Sequence, residues 1–283
     1  MTDLAHIAAR VSMLTFLVGA MFAVGLTLTP KAVSASLRNV RLVMLALVLN
    51  FVMAPAFAWL LVRFVPLDPG HAAGLLLLGG AAGAPFLPKL VETAGGDLAL
   101  AAAIMGLLNI GTILFLPFAL PLMIDGFHAE PLTIARPLVL LIMLPLAVGM
   151  LVKSCAESLA MRLAPAFAKI GNAGLLLFCV LLVTLNLQAL TSVIGSRAIL
   201  VALIFFTGLL VVSWFLGGSK SKARGVLSLS TTARNFGAAL VPASSSFSNP
   251  KVTVMVIVGA IVCLAVSFFA AGWLGRGTTP ASA

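Results

Sequence analysis

Charge is what this chain has least of. Asp, Glu, Lys and Arg make up 8% of its 283 residues, where a soluble domain carries about 25%. That shortage excludes a water-soluble globular protein. The segments between apolar blocks are also too short to hold a separate soluble domain. Cysteine is scarce as well: Cys155, Cys179 and Cys263 lie far apart, in or beside apolar runs, without metal-ligand spacing. They read as small buried hydrophobes. The histidines His6, His71 and His128 stand singly near the ends of apolar blocks, and with no HExxH or paired spacing no metal site is expected. The serines Ser244 to Ser246 have no partner base, which argues against a nucleophile. An intramembrane enzyme would need a carboxylate pair, or a nucleophile and base, at membrane depth. The mid-chain acids Glu92 and Asp97 instead sit at a helix end. The chain therefore reads as neither an enzyme nor a cofactor protein.

What is present is apolar. The chain is 62% hydrophobic, as expected of an all-α polytopic membrane protein. A formal charge of +10 would suggest nucleic acid in a soluble protein. Here it fits loops held against anionic lipid, and no nucleic-acid partner is expected. A span takes about 20 apolar residues. Nine candidates run from Ile7 to Leu28, Val40 to Val65, His71 to Ala94, Leu98 to Ile124, Ile134 to Val152, Phe167 to Val193, Ala198 to Gly217, Gly225 to Phe247 and Val252 to Trp273. The first lacks a small-residue cleavage site and reads as a span, not a signal peptide.

Basic residues orient these spans. Lys31, Arg38, Arg41, Lys153, Arg162, Lys169, Lys220, Lys222, Arg224 and Arg276 fall on one side, and Arg10, Arg63, Arg136, Arg197 and Lys251 on the other. The richer side is cytoplasmic, so the N-terminus is expected outside and the C-terminus inside. Short loops and the lack of a targeting segment point to a bacterial inner membrane.

Two spans carry breakers at their centres. The third holds Gly79, Gly80, Gly83, Pro85 and Pro88; the eighth holds Ala233-Arg234-Asn235-Phe236-Gly237 and then Pro242. Proline removes a backbone donor and glycine loosens the turn, so both helices should break. Freed backbone groups cannot face lipid and must be buried or line a cavity. The breaks lie five spans apart, so their segments cross in opposite directions, as in an inverted repeat with two crossing broken helices. Residues 1–124 would form the first repeat, 134–152 a connecting helix and 167–273 the second repeat, within a single transport unit.

With these features in view, "GLTLTP" (residues 25–30), "LNFVMAPAFAWLL" (49–61), "GGDLALAAA" (95–103), "ARNFGAALV" (233–241) and "FSNPKV" (247–252) resemble, in order and spacing, the bile acid:sodium symporter family. The resemblance implies a panel domain and a core domain holding the crossing helices, and inward transport of bile acids or other organic anions with sodium. Residues at the family's sodium site differ here. The first break reads Ala84-Pro85-Phe86-Leu87, the next-span positions fall on Ala101 and Met105, the glutamate position on Ser230, and the glutamine of its "QN" pair on Arg234, with Asn235 kept. Sodium wants oxygen ligands, as calcium does, and Ala101 and Met105 offer none.

Each break carries a basic residue, Lys89 and Arg234, and these are expected to stand in for the bound ions. Ionisable residues inside a membrane are functional by default. A structural arginine tying broken carbonyls, and a Lys89 paired with Glu92 one turn on, are the bland alternatives. The substrate and ion candidates are Arg234, Asn235, Lys89, Ser230, Thr231, Thr232, Asn109 and Gly237, and the helix breaks are placed at Gly83, Pro85, Pro88 and Pro242. Thr231 and Thr232 could equally bond back to the preceding turn, Asn109 could make an interhelical bond, and Asn50, before Pro55, could satisfy a kinked helix. The leading expectation is a secondary transporter of a small organic anion within the lipid bilayer. A conventional sodium symporter, with its ion site rebuilt from carbonyls, Thr231 and Asn235, is the alternative. Arsenite efflux permeases share the architecture but use a cysteine at the first break, which is absent.

Overall fold

The computed structural model describes residues 2–29, 38–124, 130–185, 195–217 and 221–276, with positions 31, 34, 187 and 193. Lys220, Asp125, His128 and Pro30 lie outside them. The described residues are helical, with no strand among them. In chain order the helices are α1 (Thr2–Gly25), α2 (Val40–Phe64), α3 (Pro69–Gly80), α4 (Leu87–Thr93), α5 (Leu98–Met123), α6 (Pro131–Cys155), α7 (Glu157–Leu185), α8 (Ala198–Leu216), α9 (Ser221–Thr232), α10 (Phe236–Ser245) and α11 (Pro250–Arg276). Six of them, α1, α2, α5, α6, α8 and α11, are long and apolar enough to cross a membrane.

Large apolar side chains face outward while a set of polar ones is buried. Leu122 is 86% and Phe269 79% exposed, while Arg234, Asn50 and Asn235 are fully buried. Water would penalise that outer shell; hydrocarbon does not. The protein is an integral membrane protein.

Helix starts follow their caps. Asp68 accepts from Gly70 N at 2.9 Å ahead of Pro69, Asp97 from Leu100 N at 3.0 Å, and Asn235 from Ala238 N at 2.9 Å, each meeting one otherwise unpaired helix N–H. A π-helical turn interrupts α2 at Leu49–Met53 and α6 at Val139–Met143. Both turns end two residues before a proline, Pro55 and Pro145, which cannot donate to the carbonyls one turn back.

The helices pack in two groups. α1 lies along α7 and α6 at backbone contact distance: a Cβ at Gly25 would come 2.9 Å from Gly149 Cα, and one at Gly19 3.2 Å from Gly171 Cα. Small residues at these positions let the axes close up and gain dispersion contact that lipid cannot supply. In the second group α3 packs on α11, α8 on α9 and α11, and α4 and α5 on each other. The sixth span differs from expectation. Its helix, α7, begins at Glu157, ten residues before Phe167, and runs through Pro165. Glu157 opens its first turn, where a carboxylate suits the helix dipole.

Candidate functional site

The segments expected as the third and eighth spans are both broken. α3 ends at Gly80 and α4 begins at Leu87; α9 ends at Thr232 and α10 begins at Phe236. Gly83 turns the first break with φ +83°, and a Cβ there would come 2.7 Å from Asn109 N. Handedness and space therefore both demand glycine. Pro85 lies in the break, but Pro88 is the second residue of α4, where its missing N–H costs nothing. Pro88 starts a helix rather than ending one. Pro242 does not break its segment either: α10 runs through it to Ser245. Its surroundings from Phe236 to Ala243 are all buried, and neighbouring helices hold such a proline in place.

The two breaks join backbone to backbone. Asn235 N donates to Ala81 O at 2.9 Å. Its side chain donates to Asn109 Oδ1 at 2.8 Å and to Gly83 O at 3.3 Å. Thr112, on α5, both accepts from Ala82 N at 2.9 Å and donates to Ala82 O at 3.0 Å. The carbonyls of Ala81, Ala82 and Gly83 are thus all paired, as a dry interior requires.

Arg234 closes the remaining gaps. Its Nε donates to Leu78 O at 2.9 Å. One terminal nitrogen reaches Asn50 Oδ1 at 2.7 Å and Thr231 O at 3.3 Å, and the other reaches Gly79 O at 2.6 Å and Asn50 O at 3.4 Å. A guanidinium has five N–H donors, and these are five acceptors, all uncharged. Leu78 and Gly79 lie in the last turn of α3 and Thr231 in the last turn of α9. The C-terminal, negative ends of both half-helices therefore meet on one fixed cation. The carbonyl of Asn50 lies one turn before Pro55, within the π turn, where proline supplies no donor.

The other candidates fall into place around this knot. Ser230 and Thr231 donate to Leu227 O at 2.8 and 2.9 Å, and Thr232 to Ser228 O at 2.8 Å, all within their own helix. Asn109 donates to Met105 O at 3.0 Å and faces Asn235. Gly237 lies against Phe16 and Leu17 of α1, and a Cβ there would require the Leu17 side chain to shift. Phe236 stacks between Phe16 and Phe86, with ring centroids 5.7 and 5.5 Å away, so α1 touches the crossing through an aromatic sandwich. Lys89 is not brought to the crossing. Its side chain is 68% exposed and sits 2.7 Å from Glu92.

Sequence reasoning placed Asn50 as a kink satisfier and missed it as the chief partner of Arg234. It also passed over Thr112 and Cys263, whose sulfur lies 3.4 Å from Arg234 N. Asn50 and Thr112 are polar residues at span centres, and that was the available signal. No cluster of three or more His, Cys, Asp or Glu suited to a metal occurs among the described residues. The crossing carbonyls are taken up by Arg234, Asn235 and Thr112, and Ala101 and Met105 add no side-chain oxygen.

No curated protein matches this chain. The profile described as the Sodium Bile acid symporter family matches residues 14–193, over half of the chain, taking in the first break and ending before the second.

Proposed function

The chain belongs to the sodium bile acid symporter family, and we propose that it is a secondary transporter of a small organic anion, working by alternating access around the two crossing breaks. The observation that carries this reading is the gathering of both half-helix ends on the buried Arg234. Discontinuous helices whose ends meet at mid-membrane are the usual setting of a transport site. In this reading α1, α6 and α7 form the panel and the other helices the core. α7 and the two broken pairs add to the six long helices to give nine spans in an inverted repeat. The N-terminus lies outside, in a bacterial inner membrane.

In this member the guanidinium takes the place of a mobile cation. It stays charged and is held by planar, multidentate contacts. Lys89 has no part in this, since Glu92 and solvent hold it away. Thr231 and Asn235 are poor sodium ligands here, because the Thr231 hydroxyl donates to Leu227 O and accepts from Asn50 Nδ2, and Asn235 Oδ1 caps α10.

Reconstituted vesicles test the reading. Protein-dependent uptake of taurocholate or an aryl sulfonate is expected in sodium buffer and equally in choline buffer. A strict need for sodium would restore a mobile ion and sink the replacement. Absence of flux for every organic anion tried would sink the transporter reading itself.

A further inference from the structure

Among the described residues, the charge on Arg234 has dipoles around it but no acidic counter-charge. The chain has seven acidic residues: Asp3, Asp68, Glu92, Asp97, Asp125, Glu130 and Glu157. None lies in the two breaks or in the middle of a helix that crosses them. Asp68 and Asp97 cap helix starts, and Glu92 and Glu157 pair with lysines at the surface. Among the described residues the crossing therefore holds one positive charge, that of Arg234, in a setting where charges interact over long distances. All five guanidinium donors are engaged, so a substrate meets Arg234 as a field and not as a hydrogen-bond partner.

The titratable side chain at the crossing is the Cys263 thiol, which accepts from Arg234 N at 3.4 Å and donates to Thr232 O at 3.5 Å; fully buried, it is held in its neutral form and does not alternate between protonation states. His71, buried and with neither ring nitrogen bonded, is the titratable side chain of α3. It lies nine residues from Gly80, roughly 13 Å along the helix, and the charged groups facing it are Asp68 and Lys251.

We infer that the substrate is a monovalent organic anion that crosses as the sole moving charge, so that the membrane potential drives it out of the cell. This rests on the transporter reading above. The loaded crossing is neutral, with the fixed positive charge of Arg234 cancelled by the anion. The empty core returns with its charge uncovered. One negative charge leaves per cycle, and nothing else crosses. With the cell interior at −100 mV, a monovalent anion reaches equilibrium at a roughly 50-fold higher concentration outside.

The test is the steady-state distribution of a probe in vesicles of the full-length protein, which does not depend on how the protein is inserted. Taurocholate and benzenesulfonate serve as permanent monoanions. Potassium and valinomycin set the potential, and protein-free vesicles are the control. The expected distribution changes about tenfold per 60 mV and ignores an imposed 100-fold sodium gradient or a two-unit pH gradient. Benzene-1,3-disulfonate, a dianion, is carried at least tenfold more slowly. A distribution that follows either ion gradient, that ignores the potential, or a disulfonate carried as fast, overturns this inference and leaves the transporter reading standing. No protein-dependent flux of any probe overturns both.

Discussion

Lys89 and Arg234 look alike in the sequence: each is a lone basic residue beside a break in an apolar span. The structure separates them completely. Lys89 sits on a seven-residue helix, with 68% of its side chain exposed and Glu92 at 2.7 Å. Arg234 is fully buried, with five neutral acceptors and no acid. The difference shows what buries a charge at a break. Proximity to a break is not enough; the charge must take over the unpaired carbonyls that the break creates.

Substitutions at the two positions should split just as widely. Arg234→Gln strands several carbonyls at once and is expected to cost at least about 3 kcal/mol, or roughly 10 °C in a thermal-unfolding assay in detergent. Lys89→Gln should change stability by less than about 0.5 kcal/mol. Equal effects would erase the contrast. Gly83→Ala comes next: its φ of +83° and the 2.7 Å approach to Asn109 N predict a loss of about 2 kcal/mol, seen as a lower melting temperature. Thr112→Val keeps the shape but unpairs both Ala82 N and Ala82 O, which should cost about 1–3 kcal/mol. The same assay separates it from a Thr15→Val control, whose hydroxyl bonds only within its exposed helix turn.

The smallest effect concerns the strap between the starts of α3 and α11. The Lys251 ammonium, 2.7 Å from Asp68, holds that carboxyl below the usual aspartate range. A depressed carboxyl pKa adds stability above the unfolded value near 4 and loses it as pH falls through the folded value. With side chains 39% and 31% exposed, the pair is worth under about 1 kcal/mol. Asp68→Asn keeps the helix cap and should remove this component. Melting curves from pH 7 to pH 3 would show the variant with a shallower acid decline.

The breaks were legible because their chemistry is local: Gly83 and Pro85 announce one, and Asn235, a natural N-cap, announces the other. The exposure of Lys89 was legible too, in the spacing of Leu87, Leu90 and Val91. These are buried and leave positions 89 and 92 on the opposite face. The partner of Arg234 was not legible. Asn50 lies 184 residues away, and nothing on α2 points to α9. Pro242 misled because a proline's local cost was weighed without the packing that holds α10 together. The start of α7 was missed because Arg162 and Lys169 break up the apolar run although the helix continues through them.

The π turn in α2 has one more consequence. Pro55 withholds an N–H, Asn50 is left with a carbonyl to offer, and Arg234 takes it up. An imino acid on one helix and a guanidinium on another thus answer each other. Replacing Pro55 with alanine would restore the donor and change what the loss of Arg234 costs, so the two substitutions should be non-additive. Sequence drift at either position is then constrained by the other, though the two side chains are far apart along the chain and unlike in chemistry.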